Sequence, residues 1–130
     1  MKAVKDFIKA RIKDAVFWGV FPFVYKRAVK HSDVVPDSAL FLGRNAVEMP
    51  DSFVLLFKRF EQAGGPAPQF LSLGYGRLKL VSYYLNCISA VRELAKYRYI
   101  FLDDANDVVS CLPLRSETDV IQLWHACGAF

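Results

Sequence analysis

A chain of 130 residues that is 54% hydrophobic, 15% aromatic and 23% charged has the length and apolar content of one folded domain, which excludes a disordered tail and any low-complexity or collagen-like segment. Three cysteines, Cys87, Cys111 and Cys127, stand far apart without CxxC spacing, so neither a disulfide scaffold nor a cysteine metal site is indicated, and a reducing cytoplasm is the natural compartment. The net charge of +4 is uneven: residues 1–30 hold eight Lys and Arg against two Asp, and residues 31–130 nine against eleven acidic residues, so the body of the domain lacks the basic face that nucleic acid requires.

The first segment, Val4 to Lys30, reads as helix. Val4, Ile8, Ile12 and Ala15 recur at helical spacing and Lys5, Lys9 and Lys13 form a neighbouring stripe. From Val16 to Tyr25 the chain is apolar all round. That run is about half the ~20 residues of a membrane span, contains Pro22 and meets Lys26 and Arg27 with no cleavage site, so neither a transmembrane helix nor a signal peptide is expected. A basic amphipathic start leading into aromatics has the pattern of an interfacial helix, with Lys5, Lys9, Lys13, Phe17, Trp18 and Phe21 meeting the bilayer. The alternative is that Phe17 to Tyr25 packs on the rest of the protein. The polar stretch His31 to Ser38 reads as a junction, dividing a membrane-associating segment, 1–37, from a Rossmann-like domain, 38–130.

Beyond the junction the periodicity changes. Ala39 to Leu42 predicts a buried strand, and Phe53 to Ala63 a helix opened by Pro50-Asp51-Ser52 and stopped by Gly64-Gly65-Pro66. Gln69 to Leu73 predicts a second strand, Leu78 to Val81 a short third, and Asn86 to Lys96 a helix. Tyr99 to Leu102 and Val120 to Trp124 predict the last two strands. Short apolar strands alternating with helices of this length indicate an α/β fold with a parallel sheet covered on both faces. Ligands of such sheets sit beyond the carboxyl ends of the strands, an edge that would carry Gly43-Arg44-Asn45, Gly74-Tyr75-Gly76, Asp103-Asp104 and His125. Neither GxGxxG nor GxxxxGK[ST] occurs, so no dinucleotide or Walker site is supported.

Among residues able to carry chemistry, His125 ends a strand and titrates near neutrality, which suits a general base; a hydrogen-bonded structural histidine is the plainer reading. His31 reads as solvated surface. Asp103 and Asp104 point to opposite faces, so at most one serves a site and capping duty competes. Arg115 suits a bidentate phosphate contact or a surface ion pair. Cys127 lacks the orienting group that a nucleophilic thiol needs, and no metal-ligand cluster stands out.

The stretch from Asp103 to Phe130 resembles the CDP-glycerol glycerophosphotransferase family of teichoic-acid and capsule synthesis, most specifically in Gln122-Leu123-Trp124-His125, where members read QxWHG followed by a lysine. Leu94 to Asp103 is similar to the helix-then-strand that precedes that motif, and Asp37 to Gly43 matches the family's first strand more weakly. Ala126 replaces the commoner glycine, and the chain stops before the lysine. The resemblance implies the N-terminal, acceptor-side half of a two-domain GT-B enzyme that moves glycerol-phosphate or a related polyol-phosphate from a CDP-alcohol to a hydroxyl of a lipid-linked acceptor. Such an enzyme would work in the bacterial cytoplasm at the inner face of the plasma membrane. The resemblance implies His125 as the base; Asp104 and Arg115, from their own chemistry, stand as candidate substrate contacts, and no cofactor is expected. The donor pocket would lie in a second half, so the chain is expected to be a piece of something larger and inactive by itself. A GT-B nucleotide-sugar glycosyltransferase half and an inactive membrane-associated module remain the alternatives.

Overall fold

The computed structural model describes residues 2–123; His125 and Cys127 lie outside the described residues. Helix α1 (Lys2–Ala15) passes through a π-helical turn (Val16–Val20) into α2 (Phe21–His31), so the expected long N-terminal helix is present with one widened turn. There follow β1 (Val35–Gly43), α3 (Asp51–Gln62), β2 (Gln69–Ser72), α4 (Leu80–Leu94), β3 (Tyr97–Leu102), a single turn α5 (Asp107–Ser110) and β4 (Asp119–Gln122). The strands form one parallel sheet in the order β2-β1-β3-β4. The α/β fold read from the sequence is therefore the observed one.

The two-residue period of β1 explains its central place. Leu40 and Leu42 enter a core beneath α2 and α4, while Ala39 and Phe41 enter a second core beneath α3. All four are fully buried, the signature of a strand covered on both faces. The α3 side is aromatic: Phe41 stacks on Phe101 at 4.7 Å and meets Phe53 edge-on at 5.2 Å. On the other side Phe17, Phe21 and Tyr25 pack with Cys87, Val91 and Leu94.

Three expectations need correcting. The strand expected over Leu78–Val81 is not formed, because α4 begins at Leu80. The helical spacing of Leu80, Tyr83, Cys87, Val91 and Leu94 outweighs a four-residue apolar run, and the backbone bond from Tyr83 N to Lys79 O closes the first turn. The boundary expected at residue 37 falls inside β1, at a bulge where Asp37 has φ of 60° and Ser38 Oγ donates to Val35 O and accepts from Arg98 N. Phe17 and Phe21, expected at a bilayer, are buried in the protein's own core, Phe21 completely. Their rings lie 5.0 Å apart and both meet Tyr84 edge-on. Internal packing is thus the correct reading for these two, since a ring closed off by protein has no face left for lipid.

Candidate functional site

The carboxyl ends of β1, β2 and β3 open onto a cavity of about 420 Å³. Arg44 follows β1, Leu73, Tyr75 and Gly76 follow β2, and Asn106 and Asp107 follow β3; Tyr83 and Tyr84 of α4 form one side, and Lys13 and Phe17 reach it from the N-terminal helix. The loops are tied to each other. Leu73 N donates to Gly43 O at 2.9 Å and Tyr75 N to Arg44 O at 3.0 Å. Asn86 of α4 donates through Nδ2 to Ser72 O and Leu73 O, at 2.9 and 2.8 Å. Arg77 donates to Asn45 O, Ala46 O and Ser72 Oγ, stapling the β1 loop to the β2 loop. Gly74 has φ of 76°, a left-handed conformation that favours glycine at this turn.

The polar groups fall into two sets. Asp103 is committed, because its buried carboxylate accepts from Arg44 N at 3.1 Å and fixes the β1 loop. Arg44 keeps its guanidinium over the Tyr75 ring, 4.1 Å from the centroid, and its pairing with the exposed Asp104 is loose at 3.9 Å. Asn106 is only 4% exposed. Its side-chain oxygen accepts from Val109 N at 3.1 Å and caps α5, whereas its Nδ2 is buried without a partner among the described residues. Burial, with help from Cys87, raises the Tyr83 phenol above its ordinary value. Burial likewise pushes the Cys87 thiol up to about 11, against a lowering hydrogen bond with Tyr83, and raises Cys111. Both thiols are therefore protonated at neutral pH and neither is an activated nucleophile. The described wall supplies donors and cations, which suits binding; among these residues Asp107 is its one carboxylate.

Of the residues singled out from the sequence, Asp104 stands at this edge, half-exposed and next to Arg44. Lys13 lines the cavity and lies over the Phe17 ring at 5.4 Å. Lys5, Lys9 and Trp18 are exposed, Trp18 at 70%. Arg115 is not at the edge at all. Its guanidinium donates to Val29 O and Ser32 O at the end of α2 and to Ala95 O at the end of α4, and its backbone N donates to Tyr25 Oη. It is a structural clasp, because two helix C-termini present unpaired carbonyls that a planar cation satisfies. Asp103 and Asp104 divide as expected, one turned inward to a capping task and one outward. Arg44 and Tyr75 stand at the edge where the sequence put them, whereas Asn106, Tyr83 and Tyr84 were not picked out by pattern. For Asn106 the signal was local: an Asn three residues before Val109, just after a strand, is a helix-capping position.

No family model matches the chain. Among curated proteins it is similar to the teichoic acid ribitol-phosphate primase of Bacillus spizizenii (strain W23), with 30% identity over 116 residues, 86% of this chain and 29% of that protein. The chain is related to the teichoic-acid polyol-phosphate transferases. The family resemblance read from Gln122 to His125 is borne out at that level, and this teichoic-acid transferase relative spans less than a third of the length of the protein it matches. Among the described residues, no helix is long and apolar enough to cross a membrane and no three metal-ligating side chains cluster.

Proposed function

We propose that the chain forms the acceptor-side half of a GT-B polyol-phosphate transferase in teichoic-acid synthesis, one that transfers glycerol-phosphate or ribitol-phosphate from a CDP-alcohol to a lipid-linked acceptor. The observation that carries this reading is the cavity at the carboxyl ends of three parallel strands, the place where such sheets bind substrates, in a relative of a ribitol-phosphate primase. In the reaction, the acceptor hydroxyl oxygen attacks the phosphorus that carries the polyol. The bond to the bridging oxygen breaks, CMP leaves, and the hydroxyl proton passes to His125, assigned as base by the family motif. Removing a positioned base costs commonly about 10²- to 10⁴-fold in rate. In a complete protein containing this chain, His125→Ala is expected to lower turnover by about 10² or more with CDP-alcohol binding nearly unchanged, and His31→Ala to be neutral. Equal turnover of the His125 variant and the parent removes His125 from the mechanism.

The lipid-linked acceptor gives α1 its role. No residue of α1 is buried, and Val4, Phe7, Ile8 and Ile12 are about half exposed or more, with Phe7 at 61%. With Trp18 they form an apolar stripe that no described residue covers, beside Lys5 and Lys9, the arrangement that holds a helix in the interface of an anionic bilayer. Asp introduced together at Phe7 and Ile8 is expected to abolish salt-sensitive co-sedimentation with phosphatidylglycerol vesicles while leaving the fold intact. Undiminished pelleting of that variant contradicts membrane binding through α1.

A further inference from the structure

We infer that the cavity at the strand edge is a binding site for the phosphate group of an organic phosphate, whose organic part lies on the aromatic wall of Phe17, Tyr75 and Tyr83. Two cations, Lys13 and Arg44, and the amide of Asn106 line one space. The feature that singles out this edge is Asn106 Nδ2, a buried donor without a partner among the described residues, in a side chain that lines the cavity and whose oxygen is already used for capping. A buried donor left unsatisfied is costly, and an anion in the cavity supplies the missing acceptor. Among the described residues Arg44 is held only by a long pairing with Asp104 and by stacking on Tyr75, which leaves the donor edge of its guanidinium to join it. The first turn of α4 borders the cavity at Leu80 and has no side-chain cap, which adds the positive end of a fifteen-residue helix. A phosphate group, with several acceptor oxygens, matches this set of separated donors better than a carboxylate does, and the rings beyond it provide contact for what the phosphate is attached to.

The basic hollow between the ends of α2 and α4, lined by Arg27, His31, Arg92 and Lys96, does not compete for this role. Arg92 sits in the last turn of α4, where it offsets the dipole, Lys96 is paired with Glu93 at 3.2 Å, and the hollow holds no unpartnered buried donor among the described residues.

The inference names a substrate group for the same edge and so rests on the transferase reading, but binding to this chain is measured without turnover, so one can fail while the other stands. The test is a titration followed by amide NMR at constant ionic strength, with decyl phosphate below its micellar concentration, glycerol 3-phosphate and inorganic phosphate as probes. Saturable shifts at residues 44, 75 and 106 are expected, with one organic phosphate several-fold tighter than inorganic phosphate; which one shows whether an apolar chain or a polyol occupies the wall. Asn106→Asp keeps the oxygen that caps α5 but replaces the free donor by charge, and is expected to weaken binding by about tenfold or more. Arg44→Gln, which leaves the backbone bond to Asp103 in place, serves as an independent second variant, and Arg92→Gln is expected to change nothing. Shifts that do not saturate, equal affinity for all three probes, or wild-type affinity in either folded site variant overturns the inference.

Discussion

Arg115 and Arg44 mark opposite ends of the same sheet and are used in opposite ways. At the amino edge, the Arg115 side chain is almost enclosed and its two terminal guanidinium nitrogens donate to the carbonyls of Val29, Ser32 and Ala95, with Nε 3.8 Å from the Glu117 carboxylate. At the carboxyl edge, Arg44 is only partly covered and holds its charge over Tyr75 beside a cavity. The chemistry of the two side chains is identical; what differs is the supply of unpaired acceptors. Two helices end at the amino edge and present carbonyls, whereas at the carboxyl edge the loop carbonyls are already bonded to Leu73 N, Tyr75 N and Arg77. A cation with nothing left to satisfy among the described residues is available to a ligand.

The sharpest way to break this comparison is to remove the clasp. Arg115→Met leaves several carbonyls without donors and is expected to destabilise the domain by about 3 kcal/mol in urea unfolding, with α2 amides the first to lose exchange protection. A loss below about 0.5 kcal/mol, the usual size of a surface change, places Arg115 among ordinary surface residues.

A smaller effect comes from the thiol beneath the cavity. Burial raises Cys87 to about 11 in the folded protein, so the folded state favours the protonated form. Its contribution is fully present below the ordinary thiol value and is lost as pH rises toward 11, a decline on the order of 2 kcal/mol. Tyr83 is raised as well and adds to the decline in the same direction. Unfolding free energies measured from pH 8 to pH 11 are expected to fall, and to fall less steeply in Cys87→Ala. A flat profile contradicts the burial of this pair as an ionisation-sensitive part of the core.

The smallest expected effect on stability is at Arg44. Arg44→Gln removes a stacked, half-exposed side chain and is expected to change unfolding free energy by less than about 0.5 kcal/mol. Paired with the Arg115 result, it separates the arginine that holds the fold from the one that faces the cavity. Similar destabilisation by both variants erases the distinction.

The N-terminal helix repeats the lesson along one element. In α1 and α2 the sequence shows the same mixture of Lys and large apolar residues, yet α1 buries nothing and α2 buries Phe21 and Tyr25. The apolar stripe of Val4, Ile8 and Ile12 and the all-round apolar character after Ala15 were both legible. A stripe one side wide leaves room for solvent or a surface, whereas a segment apolar on every side has to be covered, and here α4 covers it through Tyr84 and Val91.

The sequence by itself determined the layered α/β fold, the parallel sheet and the strand edge where the loops meet. Those follow from local periodicity: Leu40 and Leu42 alternate with Ala39 and Phe41, and Phe53, Phe57 and Phe60 recur on one face of α3. Only the tertiary structure decided which polar residue is spent and which is left over. Arg115 looked like a ligand contact and proved to be a clasp for carbonyls more than eighty residues away at the end of α2, while Asn106, unremarked in the sequence, keeps one donor unpaired among the described residues beside a cavity. Hydrogen-bond satisfaction is a property of what folds against a group, and in these two cases the deciding partner lies far away in the chain or is absent among the described residues.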